Sequence, residues 1–302
     1  MSVDGASLLV ERARITGHRR QGDVSVGGAC RLLRAADGWI AVSLVREDDL
    51  AAVPAWLDAE VRGDDIVTVD AVVADRTTAW LVERATLLGI PCGALGEVDS
   101  GAVPAHHLGP LERATDVTDL LVVDMSSLWA GPLCGRLLAA AGMRVVKVES
   151  SSRPDGARRG PEEFFALMNS SKEHVTLDLA SEGGRAQLRD LLAEADVVIE
   201  ASRPRALEQM GVDAWTSSAR VWLSITAYGR DQPMRVGFGD DAAVAGGLVA
   251  FDDRGPVFAG DAIADPITGM MAAVAVLDRL AVGDRWLVDL SLAGGAHLLS
   301  TL

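Results

Sequence analysis

The 302-residue sequence predicts an α/β protein: a parallel sheet with flanking helices, preceded by a smaller α+β unit. Three observations carry that expectation. Between residues 120 and 226, short apolar runs alternate with stretches of helical period, the pattern of βαβ units. The runs themselves, such as Leu120-Leu121-Val122-Val123 and Val145-Val146, are nearly continuous in apolar residues, as strands covered on both faces must be. Upstream, Asp37-Gly38 stands between Cys30–Arg34 and Trp39–Leu44, a turn dipeptide between two strand-like runs.

The elements follow in order. Residues 1–97 read as the small α+β domain. A basic, Gly-rich stretch from Arg12 to Gly28 leads into the hairpin, and helical patterns follow at 47–60 and 77–88, the second carrying Trp80, Leu81, Ala85 and Leu88. Residues 98–117 read as a linker, because Gly101, Pro104, Gly109 and Pro110 interrupt any period. The adjacent His106 and His107 within it lack a third ligand and are expected on the surface.

Residues 118–302 read as a Rossmann-like domain. It has a strand at 120–124, a helix at 132–142 with Pro132 in its first turn, and a strand at 144–148. Strand 174–177, helix 182–194 and strands 196–199 and 221–226 come next. Helix 265–281, strand 285–290 and an apolar C-terminal helix close the chain.

Composition narrows the function. A net charge of -15 argues against nucleic acid, whose phosphates need clustered Lys and Arg, and it provides no general steering of an anionic ligand. With 49% hydrophobic but only 4% aromatic residues, the core is built mainly from Ala, Val and Leu. Cys30, Cys92 and Cys134 are widely spaced, which indicates buried thiols rather than a disulfide framework or a zinc site. Met1–Gly5 has no basic start or apolar core, and no apolar run is long enough to span a bilayer, so a cytoplasmic protein without membrane contact is expected.

The candidate chemistry lies in two places. Ser127-Leu128-Trp129-Ala130-Gly131-Pro132 forms a strand-to-helix turn, where a helix start can meet an anionic ligand. The GxGxxG fingerprint and the P-loop are both absent, as are GxSxG and HExxH. Gly260-Asp261-Ala262-Ile263-Ala264-Asp265-Pro266 brings a carboxylate to the start of a small-residue helix. On spacing alone Asp265 has two readings. It is first a favoured N-cap residue followed by Pro, and a cap carboxylate is also partly exposed and rigidly held, which suits nucleophilic attack.

An ordered set of motifs resembles the class III CoA transferases, the CaiB/BaiF type that includes formyl-CoA transferase and 2-methylacyl-CoA racemase. The set comprises Ser127–Pro132, Val146-Lys147-Val148-Glu149, Asn169 with Lys172 leading to Leu177-Asp178-Leu179, Ala195–Glu200, Arg203-Pro204, Met210-Gly211 and Ser224–Gly229. Gly237-Phe238, Ala264-Asp265 through Gly269-Met270, and Val288–Ser291 complete it, over roughly residues 118–300. Arg14–Leu44 and Trp80–Gly93 resemble the family's small domain, which normally follows the large one. Here it precedes it, as in a circularly permuted member or a rearranged or partial piece of a longer pattern.

The resemblance implies an acyl-CoA:carboxylate CoA transferase, with coenzyme A as substrate and product and no metal. Asp265 is then the catalytic residue, forming an acyl–aspartyl anhydride and an aspartyl–CoA thioester in turn. Trp129, Ala130 and Gly131 are the expected CoA turn, and Arg158, Arg159, Lys172 and Arg203 are candidate CoA contacts, with Arg235 a further basic group. Gly27 and Gly28 fall where the family has a glycine-rich loop over its active site. The expected partners are acyl-CoA, an acceptor carboxylic acid and a second copy of the chain in a homodimer.

Two other readings stay open. One is an acyl-CoA racemase or isomerase with Asp240, Asp241 or Asp265 as base, which Phe238 disfavours because it stands where racemases carry His. The other is a non-catalytic homologue, since Ala201, Glu173 and Gln209 occupy positions that often hold basic or amide groups near CoA.

Overall fold

The computed structural model describes residues 4–111, 120–202 and 204–302. Its strands, in chain order, are β1 (Cys30–Arg34), β2 (Trp39–Ser43), β3 (Cys92–Ala94), β4 (Ala105–Gly109), β5 (Leu121–Asp124), β6 (Arg144–Ser150), β7 (Glu173–Leu177), β8 (Val197–Glu200), β9 (Val221–Thr226), β10 (Val249–Asp252), β11 (Gly255–Phe258) and β12 (Arg285–Ser291). They divide between two compact units, each drawn from separated stretches of sequence.

The first unit takes in Val103–Thr226 and Pro266–Leu290. Its seven-stranded sheet has the order β4-β12-β9-β8-β5-β6-β7. The pairs β5–β6, β6–β7, β5–β8 and β8–β9 are all parallel. Counting from β5, the order 3-2-1-4-5 is the doubly wound arrangement, which reverses direction between β5 and β8. The continuous apolar runs bury as expected: Val123, Val146, Val148, Val198 and Trp222 join Leu188 and Leu192 of the Glu182–Glu194 helix in one core. That helix starts where Ser181 accepts from Gly184 N, 3.0 Å away.

The linker stretch differs from expectation. Within it, Ala105–Gly109 forms the edge strand β4, antiparallel to β12. The side chains of Ala105, His106 and His107 are exposed, so no apolar alternation marks the strand. His106 sits edge-on to Trp215 and His107 edge-on to Trp286, each at 5.1 Å. His107 also meets Asp284 at 3.1 Å.

The second unit takes in Ala6–Ala102, Ala227–Asp265 and Ser291–Leu302. Two stretches that follow the linker in sequence therefore cluster with the N-terminal segment, not with the parallel sheet. Strands β1, β2 and β3 form an antiparallel sheet, with the predicted hairpin in register from Cys30↔Ser43 to Arg34↔Trp39. Alternation sorts the two faces. Leu33, Ile40 and Val42 meet Val53, Trp56, Val69 and Leu81 on the helical side, while Cys30, Leu32 and Ala41 meet Val244 and Phe258 on the other.

Of the helices on that face, Thr78–Leu88 follows its sequence signals. Thr77 caps its start and Gly89 ends it in the left-handed region, at φ 68°. Ile66–Ala74 is a helix that the period did not reveal, because Ile66, Val67, Val69, Val72 and Val73 are strand-favouring residues. The Asp65 carboxylate, accepting from Thr68 N, starts it nonetheless.

Trp56 anchors this core, fully buried, with its indole N–H donating to Leu81 O at 2.9 Å. Trp56→Ala is expected to cost about 3–5 kcal/mol, read as a lower urea midpoint.

Candidate active site

In open α/β sheets the ligand crevice lies outside the carboxyl ends of the strands, at the point where strand order reverses. Here that point is flanked by Asp124, the last residue of β5, and Glu200, the last residue of β8, both fully buried. Glu200 accepts from Ser224 Oγ at 2.6 Å and from Ser202 N at 2.9 Å. Asp124 accepts from Ser126 N at 3.0 Å and from the Ser126 hydroxyl.

The turn after β5 is held by buried charge. Lys172 Nζ donates to Asp124 Oδ2 at 2.8 Å and to Pro132 O and Asn169 Oδ1 at 2.9 Å each. Lys147 Nζ donates to Ser126 O and, at 2.9 Å, to Asp155. The other Asp155 oxygen accepts from Leu128 N at 2.9 Å, and Leu128 sits in the left-handed region at φ 70°. Such backbone is costly for a branched residue, and the captured amide holds it there. Burial alone would raise the Asp124 carboxyl, but Lys172 and Lys147 outweigh it and keep it below the usual carboxylate range. Burial pulls Lys172 down, against the pull of Asp124.

The helix that follows, Ala130–Ala140, starts at this turn. A Cβ on Gly131 would run into the Ser126 side chain, so only glycine lets the helix approach the turn this closely. Trp129 was expected to face a ligand. Its side chain is instead 1% exposed, edge-on to Phe164 at 5.2 Å, and packs as core.

The expected basic contacts separate on inspection. The Lys172 ammonium is enclosed among its three acceptors and is a structural charge. Arg158 forks onto Glu149 at 2.9 and 2.6 Å and covers Phe165 at 4.0 Å. Hydrogen bonding to Arg158 holds the Glu149 carboxyl down at about 2. Arg159 is exposed and makes no ion pair among the described residues. Arg203 lies outside the described residues. Arg235, in the other unit, is engaged by Glu97 at 2.7 Å and Cys92 O at 3.0 Å, and stacks on Tyr228.

The remaining predicted residues belong to the second unit. Asp265 is partly exposed and is the second residue of the Ala264–Val282 helix. It lies inside the first turn, where a carboxylate complements the helix dipole, and not at the N-cap. Its amide donates to Ala262 O at 2.9 Å. A Cβ on Gly239 would collide with the Asp265 carboxylate and with Ala262 O, so the start of the Gly239–Ala245 helix lies directly against the candidate nucleophile. Gly27 and Gly28 form the exposed tip of a tight turn, closed by Gly28 N donating to Ser25 O at 2.8 Å, with Gly28 at φ 81°.

Four residues beyond Asp265, Gly269 packs on Ala130 O and Leu133, within the first unit.

The polar surroundings of these residues escaped sequence reasoning. Arg12 grips both carboxylate oxygens of Asp261, with Nε at 2.8 Å. Asp240 accepts from Ala262 N at 2.8 Å, and burial pushes its carboxyl up to about 6. Asp241 accepts from Ser43 Oγ at 2.8 Å and Phe238 N at 3.0 Å, while its second oxygen has no partner. Burial pushes Asp241 up to about 7. Sequence reasoning named Asp240 and Asp241 only as candidate bases of an isomerase. All three cysteines are free and buried, and burial raises their thiols. No described cluster of three His, Cys, Asp or Glu is placed to hold a metal, and no described helix is long and apolar enough to cross a membrane.

With this geometry, the match of residues 117–300 to CoA-transferase family III decides the family, because it spans more than half of the chain. The chain belongs to CoA-transferase family III. It is 30% identical over 202 residues to succinyl-CoA–D-citramalate CoA-transferase of Chloroflexus aurantiacus, covering 60% of this chain and 50% of that protein. It is 27% identical over 184 residues to formyl-CoA:oxalate CoA-transferase of Escherichia coli, covering 55% and 44%. Among solved structures, a CaiB/BaiF family protein from Brucella suis superposes with a TM-score of 0.55 at 30% identity, covering 60% of this chain and 54% of that one. The chain spans about half the length of these family relatives.

Two outcomes follow for the charged groups. Lys172→Met strands Asp124 without its close partner and is expected to cost about 3–5 kcal/mol in urea unfolding, largely recovered by adding Asp124→Asn. A Lys172 that instead gripped CoA phosphates would leave stability unchanged and weaken acyl-CoA binding. Asp241 binds its proton more tightly folded than unfolded, so its ionisation opposes folding increasingly as pH rises from about 4 to about 7. Asp241→Asn is therefore expected to raise the melting temperature at pH 8, the gain shrinking as pH falls toward 4.

Proposed function

We propose that the chain serves acyl-CoA:carboxylate CoA transfer, with Asp265 as the nucleophile. The observation that carries this reading is the placement of Asp265: a partly exposed carboxylate in the first turn of a helix, set against Gly239.

The steps balance without a metal or a redox partner. An Asp265 oxygen attacks the thioester carbonyl, the C–S bond breaks, and CoA leaves as the thiolate, giving a mixed anhydride. The thiolate then attacks the aspartyl carbonyl and expels the first carboxylate, leaving an aspartyl–CoA thioester. The acceptor carboxylate attacks that thioester, its C–S bond breaks, and CoA leaves again as the thiolate, giving a second anhydride. Thiolate attack on its acceptor carbonyl releases the new acyl-CoA and restores Asp265. Backbone N–H groups of the turn would stabilise the oxyanions.

CoA is assigned to the Trp129–Gly131 turn through backbone and helix start, with Arg159 and Arg203 as basic contacts and Gly27-Gly28 as the loop at the acyl end. The partners are an acyl-CoA, a carboxylic acid and a second copy of the chain, in the cytoplasm. The enclosure of Lys172 and the pairing of Arg158 favour one competing reading, a homologue that binds CoA without turnover.

Acetyl-, succinyl- and cinnamoyl-CoA, followed by hydroxylamine or borohydride and peptide mass spectrometry, test the reading. Modification at Asp265 is expected, abolished in Asp265→Asn. Binding of acyl-CoA with no adduct would sink it, and α-deuterium exchange would favour an isomerase.

A further inference from the structure

The chain reaches Asp265 through a turn with an unfavourable backbone. Ala262 lies at φ 41°, a region costing an L-residue about 1–2 kcal/mol, so its neighbours must hold it. Three contacts do so. Arg12 forks onto Asp261 from one side. The Ala262 carbonyl accepts from Asp265 N, and the Ala262 amide donates to Asp240 Oδ1 at 2.8 Å.

Asp240 does more than fill an acceptor role at one amide. It follows Gly239, the residue against which the Asp265 carboxylate rests. It is also hydrogen-bonded by Ser25, whose Oγ accepts from Cys30 N at 3.0 Å at the base of the Gly27-Gly28 turn. One partly buried carboxylate therefore joins three segments: the glycine turn, the head of the Gly239–Ala245 helix and the approach to Asp265. Nothing in the transfer chemistry above uses it.

We propose that Asp240 is a positioning residue for Asp265, fixing the strained Ala262 turn and the Ser25–Cys30 turn so that the nucleophile meets the thioester in one geometry. This rests on the reading of Asp265 as nucleophile. Its contribution is orientational: a carboxylate held in its attacking pose reacts faster than one that samples several. Acyl-CoA affinity, set elsewhere, is not affected by it.

The test measures adduct formation at Asp265 with acetyl-, succinyl- and cinnamoyl-CoA in wild type, Asp240→Ala and Asp240→Asn. The alanine variant is expected to lower the maximal rate by about ten- to a hundredfold while the half-saturating acyl-CoA concentration changes less than about twofold. The asparagine variant keeps an oxygen for Ala262 N and is expected to recover the rate to within about threefold of wild type. If the alanine variant fails to fold, Asp240→Glu, which keeps the charge but moves the acceptor by one methylene, replaces it. A wild-type rate in either the alanine or the glutamate variant, with the adduct still on Asp265, overturns the positioning role alone. Absence of any adduct in wild type overturns the nucleophile reading itself.

Discussion

Two buried ammonium groups govern the crevice of the parallel sheet. Asp124 and Lys147 are direct neighbours in the β5–β6 ladder, and Lys172 closes on Asp124 from the start of β7. Together with Asp155 they fix the backbone of the turn from Ser126 to Leu128, including a residue in the left-handed region. Apolar residues of similar volume would stabilise a fold about as well, because desolvating two charges offsets most of their attraction. What the charges supply is a single geometry: each lone pair and each N–H has one place to go. The helix that follows, and everything packed on it, inherits that geometry.

The second unit solves a different electrostatic problem. Asp240, Asp241, Asp261 and Asp265 lie within one short reach of structure, with Arg12 the cation that faces Asp240, Asp261 and Asp265. Burial raises the proton affinity of Asp240 and Asp241, and a neighbouring carboxylate adds to it in each case. The chain accommodates them by giving each a distinct set of donors: Arg12 for Asp261, Ala262 N and Ser25 for Asp240, Ser43 and Phe238 N for Asp241.

The layered architecture was legible because periodicity and strand composition are local signals. The hairpin at Asp37-Gly38, the helix from Thr78 and the parallel strands all lie where their patterns put them. What stayed hidden depends on partners distant in sequence. The edge strand at 105–109 buries no face and so shows no alternation. The Ile66–Ala74 helix is built from β-branched residues that only tertiary packing makes helical. At the candidate site, Asp265 and the glycine turn were visible through the ordered motifs, but their supports were not. Ser25 and Asp240 are 215 positions apart, and no window of sequence connects them. The same limit hid the surroundings of Lys172, whose enclosure by Asp124, Pro132 and Asn169 is a property of the folded chain.

The burial of Cys30, Cys92 and Cys134 has a practical side. Their sulfurs are shielded and their protons tightly held, so the folded chain offers almost no thiolate to an electrophile. An aromatic disulfide dye added to the folded protein would therefore stay colourless until the chain unfolds and its three sulfurs meet solvent.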